Sequence, residues 1–186
     1  GDLAGLSPMI ETRKCLYAFP NAPIPIRVGF GAQGYAWAHP LDDASDGLYQ
    51  DSEEKLSVFL QDVSSGYEVG SERVVLGGFS QGGLMAYRWG LNNPDLFDGL
   101  VVLSGRLHNE DEIVRRLPAT RNQAIFVAHG KSDSLITVGE SRKARHFLEE
   151  HGYTLEYREY DMAHEVTQNV VTDLSLWLSE RVFRVP

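Results

Sequence analysis

The chain has 186 residues, 42% of them apolar, and a formal net charge of −9 at pH 7. That is enough apolar sequence to bury one good core, while the acidic balance without a basic cluster excludes nucleic acid and anionic membrane surfaces as partners. A lone cysteine, Cys15, excludes an internal disulfide and suits a cytoplasmic setting; no run reads as membrane-spanning, so no stable membrane insertion is expected. In chain order, Leu16–Phe19 reads as a short strand, and residues 20–49 as a long irregular stretch with four prolines. Asp51–Glu68 reads as an amphipathic helix with Leu56, Phe59, Leu60 and Val63 on one face. Arg73–Leu76 is a β-branched strand, followed by a helix over Gln81–Leu91 that stops at Asn92-Asn93-Pro94. Gly99–Leu103 and Ala124–Ala128 have the continuous apolar character of buried parallel strands. A helix over Gly139–His151 closes at Gly152, then come a strand at Leu155–Glu159 and a last helix over Thr167–Arg181. This alternation implies an α/β fold, a mostly parallel sheet with helices on both faces. No repeat or linker interrupts it, so one domain is expected.

The most informative segment is Gly77-Gly78-Phe79-Ser80-Gln81-Gly82-Gly83, a Gly-x-Ser-x-Gly run between a strand and a helix. That context defines a nucleophile elbow: the serine sits on a sharp, strained turn with its hydroxyl standing clear. Gly78 and Gly82 suit such a turn because side chains there would collide across it. The Gln81 N–H opens the helix and is offered to a developing oxyanion. The partners such a serine needs follow in chain order. Asp133 lies in the loop after the strand ending at Ala128, where open α/β sheets place functional groups. His164 lies in the loop between the Leu155–Glu159 strand and the last helix. In these roles His164 takes the Ser80 proton and returns it to the leaving group, and Asp133 fixes the imidazole tautomer.

Blander readings exist for each. Asp133 in Lys131-Ser132-Asp133-Ser134 could be a turn former, and His164 a polar residue at a helix entrance; the agreement of three placements favours the triad. His129, on an apolar strand, reads as a hydrogen-bonded scaffold residue. Gly29-Phe30-Gly31-Ala32-Gln33-Gly34 spells a dinucleotide fingerprint, but the sequence after it is a poor helix start and meets Pro40, so a glycine-rich loop is the better reading. His164-Glu165 begins like a zincin helix, yet position 168 is Gln, so the second metal ligand is missing.

Four segments, Phe19-Pro20-Asn21-Ala22-Pro23, Gly77–Gly83, His129-Gly130-Lys131-Ser132-Asp133 and Met162-Ala163-His164-Glu165, together resemble the small carboxylesterase and lysophospholipase family of α/β-hydrolases, which includes acyl-protein thioesterases. The resemblance covers residues 16–180. It implies an α/β-hydrolase fold with no separate lid domain and hydrolysis of a small-molecule ester or thioester without metal or cofactor. Ser80, Asp133 and His164 inherit the triad roles, and Gln81 inherits one oxyanion N–H. One departure stands out. The family has an earlier strand ending in His-Gly, whose loop supplies the second oxyanion N–H. Here Gly1-Asp2-Leu3-Ala4-Gly5 resembles the tail of that loop with no apolar run before it. The expectation is therefore one domain, residues 1–186, N-terminally incomplete, with the second donor before Gly1 or from Leu3 or Asp2.

Short- to medium-chain acyl esters, with lysophospholipid or thioester included, are the expected substrates. Phe30, Tyr35 and Trp37 are candidate pocket walls, and Ile136 and Met162 candidates for the acyl-site floor. Two alternatives share these residues: a non-catalytic binding protein on the same fold, and a serine peptidase or amidase. Monomer and homodimer both stay open.

Overall fold

The computed structural model describes residues 2–12, 15–39, 46–67 and 73–183. Two compact units are formed, one by Leu16–Glu72 and one by Asp2–Cys15 with Arg73–Pro186.

In the first unit, the expected strand at Leu16–Phe19 is not formed. These residues have no regular backbone pairing, and Leu16, Tyr17 and Phe19 are exposed, with the Tyr17 and Phe19 rings stacked at 6.3 Å. A strand needs a ladder partner, and this run joins neither of the described sheets. The stretch after it is more regular than expected. Ile24–Val28 (β1) pairs antiparallel with Ala32–Ala36 (β2), from Ile24 opposite Ala36 to Val28 opposite Ala32. The connection is the three-residue turn Gly29–Gly31, with Gly31 at φ +77°, where a side chain would be strained. The glycine fingerprint is thus a hairpin turn and its second strand. Helix α1 runs Asp46–Gly66, starting five residues earlier than expected; Glu68, the expected end, lies outside the described residues. Of its expected face, Leu56 is buried and Phe59, Leu60 and Val63 are half-buried. Ser52 Oγ donates to the Trp37 carbonyl at 2.6 Å and ties the helix to the segment after β2.

The second unit holds a four-stranded sheet of Val75–Phe79 (β3), Gly99–Leu103 (β4), Ala124–Gly130 (β5) and Leu155–Tyr160 (β6). Their spatial order follows the sequence, and every pair is parallel. The nucleophile strand lies further along than expected, because the ladder from Val75–Gly99 to Phe79–Leu103 overrides the weak strand propensity of Gly77-Gly78. The helix after it is α-helical only over Gln81–Met85 (α2), and Ala86–Gly90 continue as a π-helical turn. Glu110–Arg116 (α3) was not anticipated; Asn109 caps it by accepting from the Glu112 N–H at 3.2 Å. Val138–Glu150 (α4) and Gln168–Trp177 (α5) fall within a few residues of their expected bounds, α5 ending in a π-turn over Leu178–Val182. Asp2–Met9 forms a 3₁₀ helix.

Alternation along the buried strands divides the core between the two faces. On one, Val101, Leu103, Phe126 and Ala128 pack with Val170, Leu174, Trp177 and Leu178, the Phe126 and Trp177 rings lying 5.5 Å apart. On the other, Leu100 crowds Gly90, and Tyr157, paired with Val127, lies under the Arg145 guanidinium of α4 at 5.3 Å. No described helix is long and apolar enough to cross a membrane. Phe126 is fully buried at the centre of the α5 face. Phe126→Ala is expected to lower the unfolding free energy by about 3–5 kcal/mol in urea titration; a loss below about 1 kcal/mol would mean that this face is not the packed core described.

Candidate active site

The sharpest local feature follows directly from the end of β3. Ser80 sits at φ +55° and ψ −118°, a conformation that costs a non-glycine residue about 1–3 kcal/mol. Two backbone bonds hold it there: its N–H donates to the Leu103 carbonyl at 2.9 Å, and its carbonyl accepts from Leu84 N–H at 3.1 Å. The turn is so tight that any Cβ on Gly78 would collide with the Gly82 backbone. Gln81 occupies the first position of α2.

The other two residues come from loops at the same ends of β5 and β6. Past β5 and β6 the chain segments stay side by side, Lys131 N–H donating to the Tyr160 carbonyl at 2.9 Å and Ser132 N–H to the Met162 carbonyl at 3.1 Å. A salt bridge, Lys131 Nζ to Asp161 Oδ1 at 2.8 Å, joins them again at the surface. The Asp133 side chain is buried. Its Oδ1 accepts from the backbone N–H groups of Leu135 and Ile136, each at 2.9 Å, and its Oδ2 lies 2.7 Å from His164 Nδ1. Burial alone pushes this carboxyl up; the hydrogen bond from His164 and the N–H groups of Ile136 and Leu135 outweigh it and hold it below its usual value.

His164 completes a hydrogen-bonded chain. With Nδ1–H donating to the carboxylate, Nε2 is left as an acceptor, and Ser80 Oγ stands 2.9 Å from it. The ring rests against Phe79 at 4.7 Å between centroids, tilted by 41°. A serine hydroxyl, a neutral imidazole and a buried carboxylate in this sequence can take up and return one proton at the serine oxygen.

The sequence-derived residues fall into three groups. Ser80, Asp133 and His164, 84 residues apart at the extremes, are brought into one chain of hydrogen bonds. Ile136 is half-buried beside Asp133 and Met162 is buried two residues before His164, its sulfur accepting from Thr167 Oγ1 at 3.6 Å. Tyr35, exposed on β2, and Trp37, half-buried after it, belong to the first compact unit; the Phe30 side chain and Gly1 lie outside the described residues. Leu3 lies in the 3₁₀ helix. His129 makes the scaffold bond expected of it, through Nε2 to the Ile136 carbonyl at 2.7 Å. Phe79 was missed as a neighbour of the histidine, although its place directly before Ser80 was a signal. Among the described residues no three His, Cys, Asp or Glu side chains are grouped to hold a metal ion.

Residues 4–181 match the phospholipase/carboxylesterase family. An acyl-protein thioesterase 1 from Mycosarcoma maydis is 30% identical over 184 residues, covering 88% of this chain and 77% of its own. A probable carboxylesterase from Oryza sativa subsp. japonica is 26% identical, covering 92% and 68%. Among solved structures, Arabidopsis thaliana SOBER1 superimposes with a TM-score of 0.81 at 21% identity, over 97% of this chain and 92% of its own. A carboxylesterase from Mesorhizobium loti gives 0.78 at 16% identity, over 95% and 81%. The chain thus belongs to the phospholipase/carboxylesterase family and is a hydrolase on the α/β-hydrolase fold, an esterase or thioesterase at the level of the family.

Proposed function

We propose that the protein hydrolyses short- to medium-chain acyl esters, thioesters included, through a Ser80-His164-Asp133 triad and an acyl-enzyme. The observation that carries this reading is the unbroken chain from Ser80 Oγ through both nitrogens of His164 to Asp133, at 2.9 and 2.7 Å. Ser80 Oγ attacks the acyl carbonyl as His164 Nε2 takes its proton, and Asp133 stabilises the imidazolium. The oxygen turned negative in the tetrahedral intermediate is met by the Gln81 N–H, with the second donor from a residue before Gly1 or from Leu3. Collapse breaks the bond to the leaving alcohol or thiol, which receives the proton from His164. Water then repeats the cycle against the acyl-serine and frees the acid. Ile136 and Met162, flanking the acid and the histidine in sequence, are assigned to the floor of the acyl site. The family match takes in residues from both compact units, which supports reading residues 1–186 as one catalytic domain.

Labelling with a fluorophosphonate, read by intact mass, is expected to give one adduct that Ser80→Ala abolishes. His164→Ala should remove most ester turnover, and Asp133→Asn should lower kcat by about 10⁴ because it favours the wrong imidazole tautomer. Full activity in His164→Ala would sink the triad. Across a series of p-nitrophenyl esters, rates should peak at short to medium acyl groups and exceed those of matched amides. A steady climb out to long chains would overturn the substrate assignment.

Asp133 also makes acid stability informative. Its folded value is depressed, so its stabilising contribution is complete above the unfolded value of about 3.9 and is lost as pH falls through the folded one. In urea titrations, the difference in unfolding free energy between the parent and Asp133→Asn should be constant near neutrality and shrink below about pH 4. A difference that stays constant into acid would contradict the hydrogen-bonding derived for the carboxylate.

A further inference from the structure

His129 is a fully buried, titratable side chain that the proton path from Ser80 to Asp133 does not use. Its Nε2 lies 2.7 Å from the Ile136 carbonyl oxygen. A carbonyl can only accept, so Nε2 carries the hydrogen and Nδ1, if the ring is neutral, carries a lone pair. The same N–H is 3.5 Å from Asp133 Oδ2, close enough for electrostatic support though long for a hydrogen bond. Ile136 in turn gives its own N–H to Asp133 Oδ1. His129, Ile136 and Asp133 therefore close a ring, and the peptide at Ile136 is held on both sides.

The loop needs such a clamp. Lys131, Ser132, Ser134 and Leu135 are all exposed, Leu135 at 75%, so burial does little to order the residues around the carboxylate. The other side of the imidazole is equally pointed. His129 Nδ1 is buried without a hydrogen-bond partner, and so is the hydroxyl of Ser104. Ser104 N–H donates to the Ala128 carbonyl at 2.8 Å, which puts Ser104, just past the end of β4, next to His129, and its backbone is held at φ +48°. A buried lone pair on β5 and a buried O–H just past the end of β4, both otherwise unsatisfied, are complementary, and buried polar atoms are rarely left unpaired.

We propose that His129 is a positioning residue for the acid of the triad: its Nε2–H pins the Ile136 carbonyl and so helps fix the Asp133 carboxylate, while the Ser104 hydroxyl, across one water, takes Nδ1 and selects the tautomer that makes this possible. The inference rests on the triad reading above. It assigns Ser104 a reason for its strained backbone and separates His129 from a residue that merely fills the core.

The test combines ¹⁵N NMR of the histidine side chains with kinetics on a p-nitrophenyl ester, normalised to sites titrated by fluorophosphonate. His129 in the parent should be neutral and protonated on Nε2, and Ser104→Ala should let the Nδ1–H form appear. His129→Leu should lower kcat per titrated site about tenfold, the scale of one lost hydrogen bond, with KM changed less than about twofold. His129→Gln, whose amide can place an N–H where Nε2–H stood, should restore most of the loss. A proton on Nδ1 in the parent overturns the proposal even if His129→Leu fails to fold, as does an unchanged kcat in His129→Leu or a Gln variant no better than Leu. A parent that neither titrates nor turns over removes the triad reading itself, and this inference with it.

Discussion

Everything at the site depends on Ser80 being held in a conformation that an isolated chain would avoid. The strain is supported by the sheet: the Ser80 N–H is fixed to the last residue of β4 and its carbonyl to the first turn of α2. Because β3, β4, β5 and β6 are all parallel, their carboxyl ends lie on one edge of the sheet. The elbow after β3, the acid loop after β5 and the histidine loop after β6 therefore open on the same edge, although 84 residues separate Ser80 from His164. The skipped strand, β4, is followed directly by Ser104, which also carries a positive φ.

A buried carboxylate in a protein of net charge −9 would be expected to resist ionisation. Asp133 escapes this because its partners are fixed dipoles rather than a mobile cation. Two backbone N–H groups from its own loop and one imidazole N–H converge on it. These donors stabilise the charge with no proton moved, so the carboxylate stands ionised beside the His164 ring.

The parts visible in the sequence were those where local pattern and tertiary role agree. Continuous apolar runs gave away β4 and β5, and the glycines around Ser80 could hardly belong to anything but a sharp turn. The grouping of Ser80, Asp133 and His164 in one hydrogen-bonded chain was legible because their spacing follows the strand ends rather than any single residue. Elsewhere tertiary context decided. Leu16–Phe19 has the composition of a strand but no described strand to pair with. The β1–β2 hairpin was hidden by its prolines and glycines, although Ile24, Ile26 and Val28 alternate as a strand should. Helix α3 had a readable start, Asn109 three residues before Glu112, and basic residues in its last turn. Its two apolar positions, Ile113 and Val114, are adjacent and gave no period to register.

The short helix behind Ser80 raises a last question of support, since five α-helical residues have little stability of their own. The answer lies in the π-turn that follows. By changing the winding over Ala86–Gly90 it carries Arg88, which is 1% exposed, to a salt bridge with Glu112 of α3 at 3.0 Å. The carbonyls freed near its end are then taken by side chains: Arg88 O by Asn92, Trp89 O by Asn93, and Gly90 O by Gln123, which also holds Phe97 O. Arg88 is buried and Glu112 half-buried, so removing the carboxylate would take one charged partner from a guanidinium held away from water. Such a contact therefore tolerates few alternative arrangements of α2. That is the property an elbow needs from the helix on which its serine turns.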